Sequence, residues 1–110
     1  MTVQNLVDAL HLTLLAGKDA LTREVTGCYI GDLLSWVMGR AREGDAWLTI
    51  MGNINAIAVA TLADTACIIL TENAALDDNA RQKADMQGVA VLQTEENSYK
   101  TALALAELLS

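Results

Sequence analysis

The amino-acid sequence predicts a single α/β domain over residues 1–110, with three layers in which helices flank a mainly parallel sheet. Three observations predict this fold class. The chain has the length of one domain and is 53% hydrophobic, so it can bury a core. It contains no proline and no low-complexity linker that would divide it. From Ala46 onward, strand-like and helical segments alternate three times, which is typical of parallel sheets with crossover helices.

The elements before Ala46 follow from periodicity and turn residues. Apolar residues at helical spacing predict an amphipathic helix over Val3–Leu10. Apolar runs predict strands over residues 11–16 and 24–31, with a turn at residues 17–19 after the first. Asp32 is the expected N-cap of a helix over residues 33–42, because Asp is favoured at that position.

The elements from Ala46 to the end are predicted in the same way. Strands are expected at residues 46–51, 66–70 and 89–92, and the second of these is short, apolar and β-branched at its centre. Helices are expected over residues 53–63, 77–87 and Ser98–Leu109. Gly88 follows the second helix at the position where a left-handed residue commonly ends a helix.

The composition narrows the classes of partner. Seven basic and fourteen acidic residues give a net charge of −7, which repels phosphate backbones and anionic membranes. We therefore expect no nucleic-acid partner and no membrane partner. The first residues lack the basic and apolar segments of a secretory signal. Cys28 and Cys67 lie in apolar strand-like runs and are expected to be buried, reduced thiols, so we expect a cytoplasmic protein.

Small and polar residues follow the predicted strands where each strand ends. Ligands of open parallel sheets bind beyond the carboxyl ends of the strands, where loops enter helices. The candidate ligand-binding residues at this edge are Gly31, Asp32, Gly52, Asn53, Asn55, Thr71, Glu72 and Asn73. The alternative interpretation is that they are only helix caps and turn formers. The carboxylates of Asp32 and Glu72 at the same edge disfavour a highly charged phosphate ligand unless a cation accompanies it.

The sequence lacks the patterns typical of catalytic, metal and cofactor sites. The segment Gly17-Lys18-Asp19 has neither the earlier glycine nor the Ser or Thr of a phosphate-binding loop. His11 is the only histidine, and the two cysteines do not have CxxC spacing. A Cys28–His11 nucleophile pair requires the first two strands to be neighbours, and no third group is evident to orient it. We therefore expect no catalysis, no metal and no cofactor.

The helix predicted over residues 53–63 is apolar on every face, so both of its sides need cover. The sheet covers one side, and a second subunit is expected to cover the other. The helix over residues 33–42 is also crowded with apolar side chains. These features favour an isologous homodimer, and its candidate interface residues are Trp36, Met38, Ile54, Ile57 and Val59.

Four segments between residues 21 and 109 resemble the DRTGG domain family in order and spacing. They are Glu24-Val25-Thr26-Gly27, Tyr29-Ile30-Gly31-Asp32, Leu48-Thr49-Ile50-Met51-Gly52-Asn53 and Ile68-Ile69-Leu70-Thr71. Such domains are similar to the N-terminal domain of HPr kinase/phosphorylase, and they occur in phosphotransacetylases, in pyrophosphatases and as stand-alone proteins. The resemblance implies an α/β fold and a regulatory or assembly role, often at a dimer interface, without kinase activity.

The sequence departs from the motif that names this family. Asn53-Ile54 aligns with the family's Asp-Arg pair, and Thr71-Glu72-Asn73 aligns with Thr-Gly-Gly. The missing basic residue and the added Glu72 argue against phosphate or nucleotide binding and fit a different ligand or none.

The leading hypothesis from the sequence is a non-catalytic regulatory or ligand-sensing module that acts as a homodimer. Its small-molecule effector is expected at the carboxyl ends of the strands. The alternative is a protein–protein interaction or assembly module without a ligand, whose partner is another protein.

Overall fold

The computed structural model describes residues 1–110, in which five strands and five α-helices succeed one another. The strands are β1 (Thr13–Ala16), β2 (Gly27–Ile30), β3 (Asp45–Thr49), β4 (Cys67–Leu70) and β5 (Val91–Gln93). The helices are α1 (Val3–Leu10), α2 (Leu34–Arg40), α3 (Ile54–Ala63), α4 (Asp78–Gln87) and α5 (Ser98–Leu109), with a short 3₁₀ helix at Lys18–Ala20.

The five strands form one sheet in the order β1-β5-β4-β3-β2. Strands β2 to β5 lie side by side in chain order and are parallel, whereas β1 is antiparallel to β5. The mainly parallel α/β sheet predicted from the sequence is therefore confirmed. Because β2 and β1 occupy the two ends of this order, each has one unpaired edge.

Each face of the sheet is covered by helices, and alternate strand residues point to opposite faces. Trp47 and Ile68 belong to a core cluster with α2, α3 and α4, which we call the α3 face. Leu48 and Ile69 belong to a second cluster with α1 and α5, which we call the α5 face. Every residue of β3 and β4 is buried, as expected for strands covered on both sides. The predicted three layers are therefore present.

Helix α3 is apolar all round because it is the middle helix of its layer. It packs on the sheet and is flanked by α2 on one side and α4 on the other. Ile57 and Val59 are buried in the chain's own core, and Ile54 is half-buried against it. The expectation that α3 needs a second subunit is therefore wrong, and Ile57 and Val59 are not available to one. Trp36 and Met38 do remain exposed.

Strand β2 is shorter than the strand predicted over residues 24–31, because the chain N-terminus pairs with Glu24 and Val25. Thr2 forms an isolated antiparallel bridge with Glu24. The Val25 N–H donates a hydrogen bond to the Met1 carbonyl at 2.8 Å. The ladder with β3 begins only at Gly27.

Candidate functional site

Asp32 joins the ends of β2 and β3. Its Oδ1 accepts hydrogen bonds from the Thr49 hydroxyl at 2.7 Å and from the Ile50 N–H at 3.1 Å. The N-cap of α2 is Leu33, without a side-chain hydrogen bond, so the predicted capping role of Asp32 is wrong. One carboxylate oxygen of Asp32 is thus committed to holding two strand ends together.

Three further candidate residues have structural roles at the same edge. The Gly31 carbonyl accepts a hydrogen bond from the Trp47 indole at 2.9 Å. Gly52 lies so close to the next loop that an added Cβ would stand 1.9 Å from the Ala75 carbonyl oxygen. Asn53 is the N-cap of α3, and its side chain accepts a hydrogen bond from the Ala56 N–H at 2.9 Å. These groups stabilise turns and have little left to offer a ligand.

The loop after β4 is bound to the loop after β5. The buried Thr71 hydroxyl lies 2.8 Å from the Ser98 hydroxyl. The Glu72 N–H donates to the Glu96 carbonyl, and the Asn73 N–H donates to the Thr94 carbonyl, both at 2.8 Å. The residues aligned with the family's two glycines, Glu72 and Asn73, have φ of 56° and 57°. This left-handed conformation favours glycine.

Glu72→Gly is therefore expected to stabilise the fold by about 0.5–1 kcal/mol. The left-handed conformation costs a non-glycine residue about 1–2 kcal/mol, and glycine avoids this strain. The gain is partly offset because glycine loses more conformational entropy than other residues when the chain folds. Urea unfolding measures the change. Glu43→Gly is a matched control at an exposed position without positive φ, and it should be slightly destabilising. Equal destabilisation by both variants would show that Glu72 is not strained.

The connections that follow β4 and β5 run to opposite faces of the sheet. The chain leaves β4 toward the α3 face, where α4 packs, and leaves β5 toward the α5 face. Connections that diverge from adjacent strands in this way create the crevice in which open α/β sheets bind ligands. The three parallel strands β2, β3 and β4 have all their helices on one face, so their ends make no such crevice.

A surface cavity of about 440 Å³ lies beside the point where these two connections diverge, and we call it the rim groove. It is lined by polar and charged residues alone: His11, Thr13, Asn73, Gln93, Thr94, Glu95 and Glu96. A smaller cavity of about 150 Å³ shares Thr94 and Glu96 with it and extends toward the apolar side chains of Leu10 and Leu12. Of the eight candidate ligand-binding residues, only Asn73 lines the rim groove. Asn55 is exposed in the first turn of α3.

The rim groove carries more negative than positive charge. Glu95 and Glu96 both line it, and Lys100, whose ammonium group lies 3.9 Å from the Glu96 carboxylate, lines the adjoining smaller cavity. The groove contains no arginine or lysine of its own. It suits a neutral or cationic hydrogen-bonding ligand better than a polyphosphate.

Sequence reasoning missed most of the groove because it depends on where β1 lies. His11 and Thr13 come from the α1–β1 connection, and they join Gln93 because β1 pairs antiparallel with β5, with Thr13 opposite Gln93. No local pattern in the sequence indicates that pairing. The apolar run over residues 89–92 did predict a strand that ends beside the residues of the groove.

The two thiols are poorly suited to nucleophilic chemistry. Burial raises the pKa of Cys67 to about 12. Partial desolvation of its thiol and the nearby Asp45 carboxylate raise the pKa of Cys28 to about 11. Cys67 is buried as expected, whereas the side chain of Cys28 is exposed on β2. Since β1 and β2 lie at opposite edges of the sheet, Cys28 and His11 do not form a pair.

Two further observations concern metals and membranes. No three His, Cys, Asp or Glu side chains are grouped so that they could hold a metal ion. None of the helices combines the length and the apolarity that crossing a bilayer requires.

Comparison with known proteins identifies the family and solved structures with a similar fold. The family model of the DRTGG domain matches residues 5–108, whereas no curated protein matches. The fold is similar to the crystal structure of the CBS and DRTGG domains of the regulatory region of Clostridium perfringens pyrophosphatase, complexed with its activator, diadenosine tetraphosphate. The TM-score is 0.74 at 12% identity, over 94% of this chain and 45% of that chain. This chain thus spans less than half of that structure, and the likeness shows the fold alone.

Proposed function

Because the chain belongs to the DRTGG domain family, we propose that it is a non-catalytic regulatory module that senses a small molecule and acts as a homodimer. The pyrophosphatase region with a similar fold is regulatory and is complexed with an activator. That precedent supports a sensing role for this chain.

The rim groove is the observation that carries the proposal. It lies beside the divergence of β4 and β5, and its lining offers an imidazole, two hydroxyls, two amides and two carboxylates. Ligand sites typically combine a concave shape with a few convergent polar groups of this kind. The adjoining smaller cavity adds a short apolar surface, so a ligand with a polar head and a small apolar part fits both.

The ligand that we propose is neutral or cationic and lacks multiple phosphates. Glu95 and Glu96 would repel a polyphosphate, and the single nearby ammonium group already has Glu96 as a partner. The ligand is therefore chemically different from the diadenosine tetraphosphate of the pyrophosphatase structure.

The loop that lines the groove leads directly into α5, which gives a route from binding to a change elsewhere. Asn97 is the N-cap of α5 and accepts a hydrogen bond from the Lys100 N–H at 2.8 Å. Ser98, the first residue of α5, bonds to Thr71. A ligand that contacts Thr94 and Glu96 would therefore change the position of α5 and of the loop after β4 together.

A protein-interaction module without a ligand is the second candidate, and one observation favours it. Five exposed large hydrophobic residues lie between residues 30 and 50, namely Ile30, Leu33, Trp36, Met38 and Ile50. Exposed apolar side chains in such number commonly mark protein contacts. The homodimer that we propose would use part of this apolar surface.

A thermal-shift panel separates the two candidates. It should contain diadenosine tetraphosphate, other nucleotides, acyl phosphates, divalent metal ions, and uncharged amides and amines. A true ligand at one hundred times its Kd stabilises the fold by about 2.7 kcal/mol, which raises Tm by roughly 10 °C in a domain of this size. We expect a response from an amide or amine and none from the polyphosphates.

Substitutions inside and outside the groove locate the response. Thr13→Trp fills the rim groove from the exposed face of β1 and should abolish the shift. Thr22→Trp, at an exposed position outside the groove, should leave it unchanged. A shift that survives Thr13→Trp would place the ligand elsewhere, and no shift with any compound would favour the interaction module.

A further inference from the structure

Strand β2 has a free edge that points hydrogen-bonding groups toward solvent. It pairs only with β3. The Gly31 N–H donates to the Leu48 carbonyl at 3.2 Å, and backbone groups alternate in direction along a strand. The N–H and C=O groups of Cys28 and Ile30 therefore point away from β3. The N-terminal segment covers the chain only as far as Val25.

This edge lacks the features that normally prevent strands from pairing. Residues 25–31 contain no charged residue and no proline, which are the usual protections of an edge strand. Ile30 at its end is 50% exposed. Further exposed hydrophobic residues follow in the sequence: Leu33, the N-cap of α2, and Trp36 and Met38 on that helix.

The charge distribution favours a second copy of the chain as the occupant. Residues 25–41 carry one acid, Asp32, and one base, Arg40, so this segment is neutral in a chain whose net charge is −7. Arg40 lies over the Trp36 ring, 3.8 Å from its centroid. Two copies can therefore meet at this segment without net charge repulsion between the two copies of it.

We propose that two chains pair through β2, antiparallel about a two-fold axis at Tyr29, so that their sheets become one. This inference rests on the homodimer of the proposed function and assigns its surface. In a symmetric antiparallel pair, opposing residues lie on the same face. With Tyr29 on the axis, Cys28 faces Ile30 of the partner subunit, and all the outward backbone groups of both residues form four hydrogen bonds.

Other registers satisfy fewer backbone groups. An axis at Cys28 would set Ile30 opposite Thr26 of the partner subunit, but the Thr26 N–H already donates to the Gly44 carbonyl at 2.9 Å. An axis at Ile30 would set Cys28 opposite Asp32 of the partner subunit, which lies beyond the end of β2. The register centred on Tyr29 uses the whole free edge.

Cysteine crosslinking tests this register. Ile30→Cys would face Cys28 of the partner subunit with Cα atoms about 5.5 Å apart, within disulfide range. In the wild type the two Cys28 residues would be offset along the strands by roughly 7 Å, so that their Cα atoms lie about 8–9 Å apart, which is too far for a disulfide. Under mild oxidation we expect Ile30→Cys to run as a covalent dimer on a non-reducing gel. Wild type and the double variant Cys28→Ser/Ile30→Cys should both stay uncrosslinked.

Sedimentation of the unmodified chain tests the surface independently of the register. We expect a species of twice the 11.7 kDa chain mass at micromolar concentration. Ile30→Asp should weaken the dimer by roughly tenfold or more, because it replaces the two apolar Ile30–Cys28 cross-strand contacts and sets a carboxylate from each chain on the same face of the joined sheet. Met86→Asp is the control, since Met86 is highly exposed on α4, near the β1 side of the sheet.

The possible results of these experiments test the β2 surface, the register and the existence of the homodimer separately. A dimer that survives Ile30→Asp and gives no crosslink with Ile30→Cys would overturn the β2 surface but keep the proposed homodimer. Crosslinking of the double variant would overturn the Tyr29 register. A wild-type monomer at micromolar concentration would overturn both the surface and the homodimer. Circular dichroism confirms that each variant is folded.

Discussion

Gly52→Ala is expected to destabilise the fold by about 3 kcal/mol, the upper part of the range for overpacking. The added Cβ would lie 1.9 Å from the Ala75 carbonyl oxygen, 2.9 Å from its carbon and 3.1 Å from the Leu76 Cα. All three are backbone atoms, so no side chain can move aside. The loop after β4 must shift, and with it the hydrogen bond from the Asp77 N–H to the Gly52 carbonyl.

Gly39→Ala is the matched control for this substitution. Gly39 lies in α2, and an added Cβ would meet nothing within 4 Å. Since alanine is favoured over glycine inside helices by about 0.5–1 kcal/mol, this variant should be slightly stabilised. Guanidinium unfolding of both variants measures the difference. A Gly52→Ala protein as stable as wild type would mean that the approach of the two loops is looser than the structure shows.

Trp47→Ala is expected to cost about 3–5 kcal/mol, a large part of the stability of an ordinary domain. Trp47 is fully buried on the α3 face, between Tyr29 and Ile68 of the neighbouring strands. Its indole N–H also holds the Gly31 carbonyl at the end of β2. The substitution therefore opens a cavity and releases the end of the edge strand.

Trp47→Phe separates these two effects. It keeps most of the aromatic packing but removes the donor to the Gly31 carbonyl, so we expect it to cost about 1–3 kcal/mol. Thermal unfolding of the two variants gives the comparison. If Trp47→Phe were as stable as wild type, the indole hydrogen bond would contribute nothing to holding β2.

The strands and helices that the sequence predicted well are those with strong local signals. The predicted strand over residues 66–70 is a short apolar run between Thr65 and Thr71, and Cys67–Leu70 within it form a fully buried strand. Gly88 ends α4 with a φ of 68°, as a left-handed glycine should. Where composition, periodicity and turn residues agreed, the layer architecture followed from them.

The features that were not predictable depend on contacts between segments far apart in the chain. An apolar helix needs cover, but the sequence does not say whether neighbouring helices or a second subunit supplies it, and for α3 the cover is α2 and α4. Asp32 was predicted as a helix N-cap because Asp is favoured there, but its carboxylate instead accepts a hydrogen bond from Thr49, seventeen positions away. The rim groove escaped notice because it depends on the position of β1.

The groove and the β2 edge lie at opposite ends of the sheet. The groove is formed around β5 and β1, whereas the edge is β2. The proposed ligand site and the proposed dimer surface are therefore separate, and a substitution that abolishes one function should spare the other. Thr13→Trp should leave the dimer intact, and Ile30→Asp should leave the thermal shift intact.

Titration of ¹⁵N-labelled protein with the compound that stabilises it most, followed by NMR, tests the sensing role at the level of individual residues. His11 is the only histidine, so its ring signals report on the groove without overlap. We expect the largest chemical-shift changes at His11, Asn73 and Thr94 to Glu96, with smaller ones along α5. Changes confined to β2 and α2, with His11 unmoved, would contradict a ligand site in the rim groove.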